Sequence, residues 1–140
     1  MTTPLEKPDL CALAEDGRTL SLRASRCAAC DGLSFPPAPY GCPLCGAAPD
    51  RVAEERLSGR ARLLEFITIH TRVAPGLRPP LVVGEAEIAP GIIEEIELGV
   101  PEDRLALGME VQAVPARIER DDVESLAIRF VPVADLEGGA

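Results

Sequence analysis

In the stretch "RCAACDGLSFPPAPYGCPLCGAAPD", residues 26–50, four cysteines stand as two CxxC pairs, Cys27 with Cys30 and Cys42 with Cys45. Two residues between paired cysteines let the backbone curl until both sulfurs face one point. Two such turns can set four thiolates around a single ion in a tetrahedron. Pro43 and Gly46 supply turn geometry at the second pair and Gly32 near the first. Glycine, proline and cysteine dominate from Cys27 to about residue 50, and apolar periodicity disappears. A loop that buries so little apolar surface is ordered by a metal, so the reading is one structural zinc ion per chain, held by Cys27, Cys30, Cys42 and Cys45.

Three rivals rank lower. A thioredoxin-type redox pair needs one CxxC beside a βαβ unit, and no such unit is legible. Catalytic zinc needs an open coordination position, whereas four thiolates fill the tetrahedron and the one histidine, His70, lies far downstream of Cys45. "CPLCG" also resembles an iron-binding rubredoxin knuckle, but one Tyr and three Phe make a poor shell for an electron carrier. The fifth cysteine, Cys11, stands apart and reads as a small buried hydrophobe.

Upstream of the cysteines, "KPDLCALAED" places Leu10, Leu13 and Ala14 on one helical face closed by Gly17. "GRTLSLRASRC" then alternates, with Leu20 and Leu22 on one side and Thr19, Ser21 and Arg23 on the other, as in a strand. Downstream the character is β. "GRARLLEFITIHTR" is rich in aliphatic and β-branched residues and is broken by "VAPGLRPP". "LVVGEAEI" alternates, "GIIEEIEL" follows as a further strand, and "PEDRLAL" reads as a helical turn ended by Gly108. "MEVQAVPARIE" and "ESLAIRFVPV", the latter with Leu126, Ile128 and Phe130 inward, complete five strands. Five strands with a helical turn between the third and fourth match the order of an OB-fold, although other small barrels share that count. The division expected is a helix and strand lead-in over 1–26, the cysteine module over 27–50 and a barrel over 51–140, one compact body with an appendage.

Composition narrows the function. At 140 residues, 46% of them apolar, the chain has the makings of a folded domain but is short for an enzyme with a deep enclosed site. No apolar run approaches bilayer length and the start carries no signal-peptide pattern, so the cytoplasm is expected, where thiols stay reduced. The net charge of −9 is lopsided, since residues 60–140 carry 8 basic against 15 acidic side chains and Lys7 is the sole lysine. A nucleic-acid surface needs a basic stripe and stacking aromatics, and neither is visible. No Ser–His–Asp or Cys–His signature accompanies His70, no glycine-rich phosphate loop occurs, and Glu94, Glu95 and Glu97 read as a solvated charge run. No catalytic residue is assigned.

Taken together, "RCAACDGLSFPPAPYGCPLCG" followed by "LSGRARLLEFITIHTR" and "LALGMEVQAV" resembles the family of small zinc-ribbon/OB-fold proteins associated with acyl-CoA enzymes. The matching positions are Cys27, Cys30, Phe35 to Pro37, Cys42, Cys45 and Gly46 in the ribbon. In the barrel they are His70, Pro75, Gly76, Pro79 and Pro80, then Gly108, Met109 and Val111. One position departs, Ala38 standing after "FPP" where the family often has arginine. The resemblance implies a mainly β protein, a rubredoxin-like zinc ribbon followed by a five-stranded OB-fold barrel. It also implies an auxiliary subunit, not itself an enzyme, that joins a thiolase-superfamily catalytic subunit around a shared acyl-CoA, with no nucleic-acid or membrane partner. Family members include the small subunit of benzoylsuccinyl-CoA thiolase of anaerobic toluene breakdown, and others join enoyl-CoA hydratases or aldolases. Arg72 and Arg78, flanking a turn, are then the candidates for gripping CoA phosphate.

Overall fold

The computed structural model describes residues 3–72 and 79–137. Two antiparallel sheets share these residues. The first is built around β2 (Leu20–Cys27), whose one edge pairs with β1 (Cys11–Leu13) and then β3 (Leu33–Ser34), and whose other edge pairs with β4 (Val52–Leu57). The alternation read in "LSLRASRC" is the cause: Leu20, Leu22 and Ala24 are buried while Ser21 and Arg23 are half-exposed. The helix expected around Leu10 to Ala14 does not form. Cys11, Ala12 and Leu13 pair instead with Leu22, Ser21 and Leu20, because a helix-compatible spacing of three apolar residues is outweighed by an open strand edge next to it. The sheet takes strands from both sides of the cysteine segment, so β2 carries the first metal ligand at its last residue and β4 closes the module after the second pair.

The second sheet contains β5 (Arg60–Ile69), β6 (Leu81–Ala89), β7 (Ile92–Glu97), β8 (Glu110–Arg120) and β9 (Val123–Pro132), in the order β7-β6-β5-β8-β9. A parallel bridge between Leu98 and Phe130, with the Gly99 N–H donating to the Phe130 carbonyl at 2.8 Å, joins the two outer strands. That closure makes a five-stranded OB-fold barrel. The turn before β8 is a short 3-10 turn at Glu102–Arg104, and Gly108 follows at φ 85°. A register shift between Leu63 and Glu65 lets β5 turn Leu63 and then Phe66 toward the core. Asp121 and Asp122, both at positive φ, form the two-residue hairpin turn from β8 to β9. On β9 Phe130 is buried and Leu126 and Ile128 are half-buried. The other edge of β9 is used as well, Leu5 bridging Leu126 in parallel. No helix among the described residues is long and apolar enough to cross a membrane.

The ribbon sheet is no appendage. Cys11, Leu20 and Leu22 belong to one apolar cluster with Leu63, Val111, Ile96 and Phe130 of the barrel. Leu20, Leu63 and Val111 are all at 0% exposure, so this junction is as dry as the barrel centre. Gln112, 5% exposed, fastens it: its amide Nε2 donates to the Ser58 carbonyl at 3.0 Å and lies 3.4 Å from the Leu20 carbonyl. Replacing Gln112 by Leu keeps the volume but strands those carbonyls, and we expect a loss of about 1–3 kcal/mol, read from urea denaturation.

Candidate metal centre

The two CxxC turns are built alike. Cys27 N–H donates to the Gly32 carbonyl and Asp31 N–H to the Cys27 carbonyl, at 2.9 and 2.8 Å. In the second turn Cys42 N–H donates to the Ala47 carbonyl and Gly46 N–H to the Cys42 carbonyl, at 3.0 and 2.9 Å. Asp31 and Gly46 therefore hold equivalent positions, and both have positive φ, 62° and 80°. Gly46 plays the part read from the sequence. Gly32 does not supply the left-handed turn of the first pair; it supplies room, because a Cβ there would lie 2.5 Å from Leu44 Cδ1 and 3.1 Å from Cys30 Sγ. Residues 35–38 lie back on β2, where the Ala38 N–H donates to the buried Ser25 hydroxyl at 2.8 Å. With Ala38 at 1% exposure, an arginine side chain at this position would have no room.

All four sulfurs lie within 4.8 Å of one another, and Cys27–Cys45 and Cys30–Cys42 are each 3.7 Å apart. A tetrahedron of metal–sulfur bonds of about 2.3 Å has edges of about 3.8 Å, so the cage fits one zinc ion. Backbone N–H groups of Ala29, Gly32 and Leu44 point at the sulfurs of Cys27, Cys30 and Cys42 at 3.3–3.4 Å, which favours thiolate. The Cys45 N–H, then that of Leu44 and the adjacent sulfurs, outweigh partial desolvation and lower the Cys42 thiol to about 7. At Cys45 the Ala47 N–H acts in the same sense, but desolvation and the three other sulfurs outweigh it and push the thiol up to about 12. Four sulfurs this close cannot all ionise near neutral pH by themselves, and a divalent cation is what makes them thiolates together.

The remaining sequence candidates do not converge on the metal. His70 is exposed and falls just past β5, without a hydrogen-bond partner among the described residues. Arg72 is exposed and makes no ion pair with them; Arg78, like Pro75 and Gly76, lies outside the described residues. Cys11 is 1% exposed and burial raises its thiol, as expected of a packing residue. The run Glu94, Glu95 and Glu97 is divided by strand alternation. Glu94 is half-buried, its carboxyl raised by burial and then by Glu95, Glu95 is exposed, and Glu97 pairs with Arg129 at 3.1 Å. Arginines of both sheets are likewise neutralised locally, as in Arg23–Glu54 of the first and Arg62–Glu87 of the second, which leaves no basic stripe among the described residues. A cleft of about 720 Å³ opens where ribbon meets barrel, lined by Leu22, Phe35, Phe66, Ile69, Leu81 and Ile96 among others. Sequence reasoning missed it, because it joins residues from both modules that only the tertiary fold brings together.

Residues 14–50 match the family model described as "ChsH2, rubredoxin-like zinc ribbon domain". No curated protein matches the chain. A solved structure described as "Ltp2-ChsH2(DUF35) aldolase" is similar, with 29% identity and a TM-score of 0.58, over 80% of this chain and 84% of that one. This match covers more than the ribbon and overturns the expectation that the chain is not an enzyme, since the structure it resembles is an aldolase. The expectation rests on the family resemblance, with which the lack of a catalytic signature in the sequence agrees, and neither decides what activity a fold supports.

Proposed function

We propose that the chain is the ChsH2-like component of an aldolase of the Ltp2-ChsH2(DUF35) kind, which cleaves a carbon–carbon bond of an acyl-CoA together with a thiolase-superfamily partner subunit. The similarity over 80% of the chain to a component of a solved aldolase carries the reading. The acyl-CoA and the thiolase-superfamily partner come from the family resemblance of ribbon and barrel. The benzoylsuccinyl-CoA thiolase assignment rests on that resemblance alone, and the aldolase is favoured over it by the structural match. The zinc ribbon with its flanking strands β2 and β4, and the barrel strands β5 to β9, serve as the two contact modules, and cysteines used as metal ligands accord with a reducing, cytoplasmic setting.

The cleft supports this reading. Its volume of about 720 Å³ lies in the range of small-molecule sites; the part lined by Leu22, Phe35, Phe66, Ile96 and Phe130 is assigned to an acyl chain, whereas Glu65, Glu85 and Glu95 line another part of it. Arg72 follows Ile69, a lining residue, by three positions, so the anionic end of CoA is assigned to Arg72, and to Arg78 from the sequence alone. Arg72→Ala with Arg78→Ala raises the KM for acyl-CoA about tenfold and leaves kcat nearly unchanged, because a phosphate grip far from the reacting bond binds ground and transition state alike. An unchanged KM removes both residues from the site. The assembly itself is tested by co-expression with an Ltp2-type subunit and size exclusion: co-elution is expected, and separate elution contradicts the proposal.

A further inference from the structure

Cross-strand register places three glutamates in one row on the barrel's outer face. Glu65 of β5 is directly opposite Glu85 of β6, which is directly opposite Glu95 of β7. All three are exposed and none has an ion pair among the described residues. Directly opposed side chains have Cβ atoms only about 5 Å apart, and like charges there are destabilising. Elsewhere in the same sheets carboxylates are offset by arginine, as at Arg62–Glu87 and Arg129–Glu97. The uncompensated row is thus a local exception that costs the free chain stability. The next rows on the same face are apolar: Ile67 faces Val83, and Ile69 faces Leu81. Ile67 is 61% exposed, the other three are half-exposed, and all four line the cleft.

We propose that this face, Glu65, Glu85 and Glu95 beside Ile67 and Val83, docks a surface of the partner subunit that sets Lys or Arg side chains against the carboxylate row and apolar side chains against the isoleucines. The assignment rests on the aldolase reading for the partner's identity. Charge complementarity argues for the occupant: among the described residues no cation pairs with the row, and a basic neighbour removes a repulsion that exists before binding, which adds to its own attraction. A second copy of this chain is the wrong occupant, since its matching face brings a second carboxylate row.

The test compares the wild-type chain, Glu65→Gln with Glu85→Gln and Glu95→Gln combined, and Ile67→Ser, each against the purified Ltp2-type subunit by surface plasmon resonance at two salt concentrations. The triple variant melts a few degrees higher as a free chain, yet associates about tenfold more slowly and with a flatter salt dependence. Ile67→Ser dissociates about tenfold faster with an unchanged melting temperature, because the side chain it truncates is exposed in the free chain. Wild-type binding that neither variant alters overturns the docking face and leaves the aldolase reading standing. Absence of wild-type binding overturns both. Self-association of the chain that Ile67→Ser abolishes overturns the choice of occupant.

Discussion

Cys27→Ser combined with Cys45→Ser abolishes zinc binding and removes the ordered structure of residues 27–46, and the damage reaches the barrel. Structural zinc in small modules contributes apparent free energies on the order of 10–16 kcal/mol, comparable with the whole net stability of a domain, about 5–15 kcal/mol. The ribbon loop has no apolar core to fall back on, since residues 43–46 and 28–31 are all exposed. Cys27 is also the last residue of β2, and β2 contributes Leu20 and Leu22 to the common core. Loss of the metal therefore frays β2 from its C-terminal end and exposes the barrel face that it covers. Elemental analysis reads the zinc, and amide NMR reads the spread: signals of β2 and β4 lose dispersion together with the cysteine turns, and the barrel's thermal transition falls. Acid acts in the same direction, because protons compete with the ion for sulfur and zinc affinity drops as pH falls. A double variant that keeps both zinc and fold contradicts this account.

Gly59→Ala has the second largest expected effect, a loss on the order of 3–5 kcal/mol, from left-handed strain, a backbone clash and a disturbed buried hydrogen bond together. Gly59 links β4 to β5 and therefore the ribbon to the barrel, at φ 82°. A Cβ there would stand 2.2 Å from the Leu20 carbonyl oxygen and 2.8 Å from Gln112 Nε2. Neither can move away cheaply, because Leu20 is hydrogen-bonded in β2 and Gln112 is buried among the carbonyls that it satisfies. Gly91→Ala is the control: the same sign of φ, 78°, but nothing within 4 Å of the added carbon. Urea denaturation of the pair separates the strain of a positive φ, common to both, from the clash found only at residue 59.

The metal cage was legible because a CxxC turn is local: each pair needs only its own backbone to aim two sulfurs, and the four residues named from spacing are the four that meet. Strand β2 was legible for a similar reason, its alternation surviving as burial. What escaped the sequence is non-local. Leu10, Leu13 and Ala14 have helical spacing, yet the residues between them follow the edge of β2, which no local pattern announces. "VAEERL" has no clear period of two and still pairs with six of the eight residues of β2, Leu22 to Cys27. The glutamate run looked uniform in sequence, but a strand sends alternate residues to opposite faces. Glu94 thus meets the barrel side, while Glu95 completes an outward carboxylate row with residues 10 and 30 positions upstream. The shared core was illegible too, since an apolar residue on β2 gives no sign of whether it packs within the ribbon or against the barrel.

The central claim, that this chain is a component of an aldolase, is tested most directly by the rate at which a purified complex of the chain and an Ltp2-type subunit cleaves a carbon–carbon bond of an acyl-CoA, measured with and without the chain. The account predicts cleavage by the complex and a fall toward the uncatalysed rate when the chain is left out. Equal rates with and without it, or no cleavage by a well-formed complex, contradict the account.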